Sequence, residues 1–168
     1  MSIAHPDDSL DQIDPKPYRF SRVAWVNATP ATAYELISNV GNVSKWSPNV
    51  ADAVYDEGAG PRPGDWFTGH NQAGDARWTS RSQVNRAEPG VAFSYVVAGV
   101  DNGIVQWEWT FQPSGSGCEV RQTWQLLRTD PVLGSTRADV DNIRDLMTAG
   151  VEATLVSLAR WIAENPAG

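Results

Sequence analysis

Cysteine and histidine are scarce in this chain of 168 residues. The sequence contains one cysteine, Cys118, and two histidines, His5 and His70. A single thiol cannot form an internal disulfide and cannot supply a zinc site with thiolates. Because His5 lies near the N-terminus, a site built from several imidazoles is also excluded, and we expect no metal. No glycine-rich phosphate loop follows a predicted strand, so we expect no cofactor.

Positive charge is also limited, and it is dispersed. The chain has 13 lysines and arginines against 20 aspartates and glutamates, which gives a formal net charge of −7. No two basic residues are adjacent. Nucleic-acid binding needs clustered cations that displace counterions from phosphates, so we expect no nucleic-acid partner. Anionic membrane surfaces are disfavoured for the same reason.

Long apolar runs are missing as well. The N-terminal residues are acidic and lack the apolar segment of a secretory signal. No window approaches the roughly 18 apolar residues that a membrane span needs. We therefore expect a cytoplasmic protein without a membrane span. The sequence leaves open whether the protein is a monomer or a homodimer.

Tryptophan, in contrast, is abundant, with eight residues in the chain. A tryptophan side chain is bulky and apolar, and its N–H group needs a partner when it is buried. Such a number suits either an aromatic core or a pocket for a flat ligand. We expect most of the tryptophans to belong to the core.

The chain divides into a short tail and one domain. Residues 1–17 contain three prolines and four aspartates, and we predict a flexible acidic tail there. Residues 18–165 are predicted to form a single domain. Its first strand is the alternating segment Tyr18–Val26. Two short helices follow, the first with Thr29 as its cap and Pro30 at its first position.

Six further strands and a long helix complete the predicted domain. Turn residues separate the strands, and short connections between sequential strands favour an antiparallel meander. The predicted strands are Val50–Asp56, Trp66–Asn71, Arg77–Arg86, Val91–Ala98, Ile104–Gln112 and Cys118–Arg128. Residues 138–164 carry apolar side chains at helical spacing, which predicts a helix roughly 40 Å long. The apolar strand faces need a partner, and this helix is the segment that can cover them.

Three stretches of the chain resemble a known superfamily. START-like, polyketide cyclase/dehydrase-type proteins of the SRPBCC superfamily open with a segment similar to VNATPATAYELISNVGNVSKWSPNV. Their actinobacterial branch has a segment similar to PGDWFTGHNQAGDARWTSRSQVNRAEPGVAFSYVV, and their terminal helix resembles AGVEATLVSLARWIAEN. The resemblance implies an α+β helix-grip fold, in which a curved antiparallel sheet of about seven strands wraps around a long C-terminal helix. It also implies a cavity that binds hydrophobic compounds such as polyketides, lipids or steroids.

Strand parity and helical periodicity select the residues that would line such a cavity. Most of them are aromatic, and a few are polar. An inward amide such as that of Gln122 needs a hydrogen-bond partner, which a ligand or the C-terminal helix can provide. The candidate ligand-binding residues are Trp46, Phe67, Asn71, Trp78, Ser80, Ser82, Phe93, Tyr95, Trp107, Trp109, Gln122, Trp124, Ile143, Met147, Gly150 and Val151.

Two of these positions carry a more specific expectation. Trp46 lies at the junction between a helix and a strand and could gate the mouth of the cavity. Gly150 removes a side chain from the middle of the long helix, where glycine costs about 1 kcal/mol relative to alanine. Either close packing against a tryptophan or room for a ligand would explain this glycine.

Few side chains could carry catalysis. The candidates are Gln122, Tyr95, His70 and Arg144. A histidine titrates near neutrality and can move a proton, but strand parity places His70 opposite Phe67, on the solvent side. No inward pair of carboxylates and no Ser–His–Asp set can be assembled from the predicted elements.

Three functions therefore stay open. The first, which we favour, is a binding or carrier domain for an aromatic or lipid-like small molecule, because the inward faces are aromatic and a convincing acid–base set is missing. The second is a polyketide cyclase or dehydratase that polarises carbonyl groups and transfers protons. The third is an interaction module that acts through its surface and has a closed core without a ligand.

Overall fold

The computed structural model describes residues 10–166, which form a seven-stranded antiparallel sheet and two α-helices. The helices are α1 (Pro30–Ser38) and α2 (Arg137–Glu164). The strands are β1 (Arg19–Val26), β2 (Val50–Tyr55), β3 (Trp66–Ala73), β4 (Ala76–Glu88), β5 (Ala92–Val97), β6 (Val105–Ser114) and β7 (Gly117–Leu126). Their spatial order is β1-β7-β6-β5-β4-β3-β2, so β1 pairs with the last strand of a meander. The predicted helix-grip fold is confirmed.

Two irregularities bend the sheet. The register shifts between Val84 and Arg86, where β4 pairs with β5, and between Val50 and Asp52, where β2 pairs with β3. An extra residue in one strand bends that strand and increases its twist. The bent sheet has a concave side toward α2, and we call this side the inward face.

Helix α1 begins at the residue that the sequence predicts. Thr29 Oγ1 accepts a hydrogen bond from the backbone N–H of Thr32 at 3.1 Å, and Pro30 occupies the first helical position. The helix ends at Ser38. A 3-10 helix at Val40–Lys45 follows, at the place of the second predicted short helix.

Helix α2 begins with a complete capping box. Thr136 Oγ1 accepts a hydrogen bond from the backbone N–H of Asp139, and the Asp139 carboxylate accepts one from the backbone N–H of Thr136 at 3.1 Å. Hydrogen bonds from the backbone N–H groups of Ser135 and Thr136 lower the pKa of Asp139. The 28 residues of α2 span about 42 Å at 1.5 Å per residue, which is long enough to cross the whole sheet.

A large cluster of buried side chains joins α1 and the C-terminal half of α2 to the sheet. Tyr34 of α1 packs edge-on against Phe93 and Phe111 of the sheet. The lone thiol of Cys118 is fully buried in this cluster, and burial raises its pKa. The side chains that α2 contributes are Val151, Leu155, Leu158 and Ile162.

A smaller cluster lies under the N-terminal half of α2 and includes residues that were predicted to be flexible. Leu10–Gln12 form a 3-10 helix, and the hydroxyl of Thr129 donates a hydrogen bond to the Leu10 carbonyl at 3.0 Å. Ile13 is buried in the same cluster as Val140 of α2. The predicted flexible tail therefore does not agree with the structure from residue 10 onward, because Ile13 gains apolar contacts. Residues 1–9 lie outside the described part of the chain.

Helix α2 also has the length and composition that could cross a membrane. The core helix of a folded domain has the same length and composition. In the fold, one side of α2 is buried against the sheet. The length and composition of α2 therefore differ from the expectation that no window approaches a membrane span.

Candidate binding site

The centre of the inward face carries aromatic side chains that keep some accessible surface. Tyr95 of β5 and Trp107 of β6 lie directly opposite each other in the register, and both are only partly buried. Phe93 and Trp109 lie two residues further along the same strands, opposite each other, and both are buried. Because β5 and β6 lie in the middle of the sheet, the exposure of Tyr95 and Trp107 requires open space against the inward face.

The hydroxyl of Tyr95 lies deeper than the accessible part of its ring. The ring packs edge-on against Phe67, with the two centroids 5.0 Å apart, and it also contacts Phe93. Burial raises the pKa of Tyr95 to about 12, and a hydrogen bond with the Trp109 side chain opposes this shift. The hydroxyl therefore stays protonated at neutral pH, so it can donate a hydrogen bond but cannot act as a base.

Gln122 of β7 has a buried amide without a partner. The residue is 6% exposed and lies opposite Trp109 of β6. Its Oε1 atom has no hydrogen-bond partner within residues 10–166, so the alternative of a structural bond to α2 is not realised there. Leaving a buried polar group unsatisfied costs about 1–3 kcal/mol. A ligand that donates a hydrogen bond would remove this cost.

Arg22 of β1 is the inward neighbour of Gln122. The two residues lie directly opposite each other in the β1–β7 register, so their side chains share one face. Arg22 Nε lies 3.1 Å from the carboxylate of Glu152 on α2, and its guanidinium lies over the Phe20 ring. This ion pair therefore bridges the gap between the edge strand of the sheet and the long helix.

A groove of about 410 Å³ follows the same gap between β1 and α2. Most of its lining is apolar, and Arg22 and Glu152 are its charged members. The lining residues are Arg22, Val23, Ala24, Glu152, Leu155, Val156 and Ala159. Its volume falls within the range of small-molecule sites, roughly 300–1,000 Å³. Gln122 does not line the groove, but its register partner Arg22 does, so the groove runs beside this part of the inward face.

Two of the four candidate catalytic residues lie outside this site. His70 is on the outer face of β3, where its imidazole contacts the carboxylate of Asp52 and both side chains are exposed. Arg144 lies beside Asp141 and Asp145 on α2, and its guanidinium lies over the ring of Tyr18. Gln122 and Tyr95 remain, because both lie on the inward face.

The predicted role of Trp46 as a gate is wrong. Its side chain is buried and packs edge-on against Trp161 of α2, with the ring centroids 5.6 Å apart. The 3-10 helix at Val40–Lys45 directs the following residue into the core rather than toward a mouth. Trp46 therefore fixes the C-terminal end of α2.

Trp78 lies far from Gln122, near the tip of the β3–β4 hairpin. It is 44% exposed, although it shares the inward face with its cross-strand partner Asn71. A second, smaller concavity of about 220 Å³ lies here, lined by Ala51, His70, Asn71, Arg77, Trp78 and Thr79. Helix α2 does not cover this end of the sheet, which explains the exposure of the indole ring.

Two polar side chains on the inward face of β3 and β4 form a hydrogen bond with each other. Asn71 Nδ2 donates a hydrogen bond to Ser80 Oγ at 3.0 Å, and the two side chains share the inward face. Ser82 is buried opposite Phe67, which packs edge-on against the ring of Tyr55. These predicted ligand-binding residues thus line the inward face, but the Asn71 amide is already paired within the sheet.

Several other predicted ligand-binding residues belong to the packed core. Trp124 is 1% exposed and stacks on Phe20, with the ring centroids 5.6 Å apart. Val151 is buried in the large cluster, as are Phe93 and Trp109. Ile143 and Met147 of α2 are partly buried against the small cluster, where they face the inward side of the sheet.

The structure gives a different reason for Gly150 than either expectation. A Cβ atom at this position would lie 2.9 Å from Nδ2 of Asn49, in the segment before β2. The glycine therefore allows Asn49 to approach α2 closely. Its nearest neighbour in this space is neither a tryptophan ring nor an open cavity.

Over residues 10–166, no group of three or more histidine, cysteine, aspartate or glutamate side chains could hold a metal ion. The candidate site offers one amide, one phenol and one ion pair as its polar groups. This chemistry suits hydrogen bonding and charge recognition of an organic ligand.

The Arg22–Glu152 pair is absent from the site residues predicted from the sequence. The alternation Phe20–Arg22–Ala24–Val26 placed Arg22 on the side of the buried Val26, which was the available signal. Both sides of this strand carry apolar residues, so alternation alone does not decide which side faces inward. Glu152 gave no signal, since its contact with a strand 130 positions away depends on the packing of α2.

Comparison with known families gives the class of protein. The family model described as polyketide cyclase / dehydrase and lipid transport matches residues 18–162. This match covers most of the chain, and the protein therefore belongs to this family. Comparison with curated proteins yields no match.

Solved structures share the fold. The Polyketide_cyc-like protein Cgl2372 from Corynebacterium glutamicum is 26% identical, with 87% of this chain and 91% of that chain covered and a TM-score of 0.61. Protein Ms6760 from Mycobacterium smegmatis is 15% identical, with 90% and 94% covered and a TM-score of 0.66. The di-domain ARO/CYC StfQ from the steffimycin biosynthetic pathway is 20% identical over 88% of this chain, with a TM-score of 0.68. This chain spans about half of that protein, 51% of its length.

Proposed function

We propose that this protein binds a hydrophobic small molecule between the inward face of the sheet and α2. The observation that carries the proposal is the buried Oε1 atom of Gln122, which has no hydrogen-bond partner within residues 10–166. Native proteins rarely leave such an atom unsatisfied, so the site favours a ligand that donates a hydrogen bond there. The family description, which includes lipid transport, supports this function.

The surroundings of Gln122 define the kind of ligand. Trp107 and Tyr95 present partly exposed aromatic surface, and the groove between β1 and α2 has an apolar lining. An aromatic or lipid-like body would bury this surface, which is favourable by roughly 25 cal/mol per Å² of apolar area. A hydroxyl group on that body would supply the donor for Gln122.

Cyclisation or dehydration of a polyketide is the second candidate function. Gln122 and Tyr95 both lie on the inward face, and Trp109 lies opposite Gln122 in the register. These groups could polarise a carbonyl group. Binding alone remains the better supported function because the Tyr95 phenol is protonated at neutral pH and His70, the candidate proton acceptor, lies on the outer face of β3.

Tryptophan fluorescence tests the binding function directly. We expect 2-hydroxyanthracene to quench the emission and to bind more tightly than 2-methylanthracene, which has a similar size but no donor. Gln122→Leu should weaken binding of the hydroxylated compound about 10-fold, the effect of one buried hydrogen bond, and leave the methyl compound unaffected. Gln106→Leu is the matched control, because Gln106 is an amide on the outer face of the neighbouring strand β6.

Two results would overturn this function. One is an emission and melting temperature that no member of a broad set of apolar compounds changes. The other is equal binding of the hydroxylated compound by the wild type and by Gln122→Leu. If a polyketide substrate is converted and Tyr95→Phe changes the product profile while binding is kept, the cyclase function gains support instead.

A further inference from the structure

Arg22 is an unusual residue for its position. It lies on the inward face of β1 between Phe20 and Ala24, both of which pack against the large core cluster. Its side chain is 42% exposed, so its apolar stem lies along the neighbouring side chains while water still reaches the guanidinium. A cation beside this apolar surface favours a nearby anion, either from the protein or from a ligand.

The hydrogen bonds of Arg22 leave one edge of its guanidinium accessible. Nη1 donates to the backbone carbonyl of Ser21 at 2.8 Å, and Nε donates to the Glu152 carboxylate at 3.1 Å. Nη2 makes no hydrogen bond within residues 10–166. The edge formed by Nε and Nη2 has the fork geometry that binds a carboxylate through two parallel hydrogen bonds. Glu152 occupies only one half of this fork.

The bond between Arg22 and Glu152 is also easy to exchange. The side chains are 42% and 57% exposed, so water can solvate both charges when they separate. Exposed ion pairs of this kind contribute little to stability. A carboxylate that arrives with an apolar body can therefore replace Glu152 without a large loss of folding free energy.

We propose that the ligand is an acidic amphipathic molecule, whose carboxylate binds Arg22 in place of Glu152 while its apolar body occupies the groove between β1 and α2. The inference rests on the proposed binding function and assigns the chemical class of the ligand. Charge complementarity supports it, because Arg22 is the cation of a groove whose other residues, apart from Glu152, are apolar. Gln122 lies opposite Arg22 in the register, and a hydroxyl group on the same apolar body would supply the donor for its Oε1 atom.

Because the ligand must displace Glu152 from Arg22, the site should discriminate between anionic and neutral ligands. A neutral ligand of the same shape leaves the Arg22–Glu152 pair intact and meets a narrower groove. An anionic ligand satisfies both donors of the fork and releases Glu152 to solvent. The protein should therefore distinguish an acid from its neutral isostere, although its formal net charge of −7 repels anions in general.

Anthracene-2-carboxylate and anthracene-2-carboxamide test this inference, because they share one apolar body and differ in charge. Binding is measured by tryptophan quenching at pH 8, where the acid is ionised. We expect the wild type to bind the carboxylate about 10-fold more tightly than the amide, as is reasonable for a charge-assisted pair. Arg22→Gln should remove this preference. Glu152→Gln should raise the affinity for the carboxylate about 3-fold, since the competitor of the ligand is gone.

Arg121→Gln is the matched control. Arg121 directly precedes Gln122 on β7 but lies on the outer face, near Glu119, and does not line the groove, so this variant removes the same charge from outside the groove. The preference for the acid should be unchanged in this variant. Glu152→Gln tests the contact from α2 independently if Arg22→Gln does not fold.

The possible failures separate this inference from the proposed function. If the wild type binds both compounds equally, or if Arg22→Gln keeps the preference for the acid, the ligand class is wrong and the binding function stands. A loss of carboxylate affinity in Glu152→Gln would also contradict the inference. If neither compound binds, and 2-hydroxyanthracene does not bind either, both the ligand class and the binding function are wrong.

Discussion

Two regions of the inward face differ in whether the amide side chain that they contain has a hydrogen-bond partner. At the β3–β4 hairpin, the Asn71 amide donates to Ser80 Oγ, and both residues are partly exposed. On β7, the Gln122 amide is 6% exposed and its oxygen has no partner within residues 10–166. The Asn71 amide in the hairpin region therefore already has a hydrogen-bond partner within the sheet. The region between β7, β1 and α2 is chemically incomplete without a further donor.

The difference shows where binding energy is available. A ligand at Asn71 would have to break an existing hydrogen bond, so it would gain little. A ligand at Gln122 satisfies an atom that pays a desolvation cost in the unbound protein. Two amides on the same face thus differ in function because of their neighbours.

The largest expected effect comes from Trp124, the inward residue next to Gln122 on β7. Trp124→Ala should destabilise the protein by about 3–5 kcal/mol, because a fully buried ring that stacks on Phe20 leaves a cavity. Trp78→Ala, in the hairpin region, should cost less than about 1.5 kcal/mol, since that ring is 44% exposed. Urea denaturation measures both. Equal losses would show that the two regions are equally well packed.

The two amides themselves should respond with opposite signs. Gln122→Leu should stabilise the unbound protein by about 1–3 kcal/mol, because the unsatisfied group is replaced by an apolar one of similar size. Asn71→Leu should destabilise it by about 1 kcal/mol, because Ser80 loses its partner. The measurement is again the free energy of unfolding in urea. A destabilised Gln122→Leu variant would mean that the amide is already satisfied, and the contrast between the regions would disappear.

The deep hydroxyl of Tyr95 gives a smaller effect that depends on pH. Its pKa in the folded protein is about 12, above the ordinary value of 10.0. Between these values the unfolded chain releases the proton while the folded protein keeps it, so stability falls as the pH rises. From pH 9 to pH 11, the wild type should lose about 1 kcal/mol more than Tyr95→Phe. Parallel pH profiles for the two proteins would contradict a dry environment for this hydroxyl.

The smallest effect is expected at Gly150. Alanine is favoured over glycine in a helix by about 1 kcal/mol, but its Cβ would approach the Asn49 amide and displace it. We expect the free energy of unfolding of Gly150→Ala to change by less than about 0.5 kcal/mol. In the double variant with Asn49→Ala, the free energy of unfolding should rise by the full helix preference for alanine, about 1 kcal/mol. If Gly150→Ala alone raised the free energy of unfolding by about 1 kcal/mol, the new Cβ atom would not disturb Asn49.

The fold could be predicted well because its signals are local. Alternation along β6 and β7 identified the inward residues, and Val105, Trp109, Val120 and Trp124 are indeed buried. Thr29 and Pro30 marked the start of α1 through capping chemistry alone. These patterns depend on neighbouring residues in the chain, so they can be read without knowledge of tertiary contacts.

The site was less predictable because it depends on contacts between distant segments. Parity showed that Gln122 points inward, but it could not show whether a partner exists there. The position of Glu152 opposite Arg22, the burial of Trp46 against Trp161 and the approach of Asn49 to Gly150 all follow from the way α2 rests on the sheet. Ile13 was missed for a related reason, since its apolar contacts lie on α2 and distant strands.

The burial of Cys118 has a practical consequence. Its thiol has no accessible surface and a raised pKa, so the reactive thiolate is scarce and out of reach of reagents at neutral pH. A cysteine introduced at an exposed position of the groove, such as Val156, would therefore react alone with a thiol-specific dye. A variant with this one added cysteine could be labelled at a single site beside the groove without removal of Cys118. The fluorescence of the dye would then report ligand entry in real time.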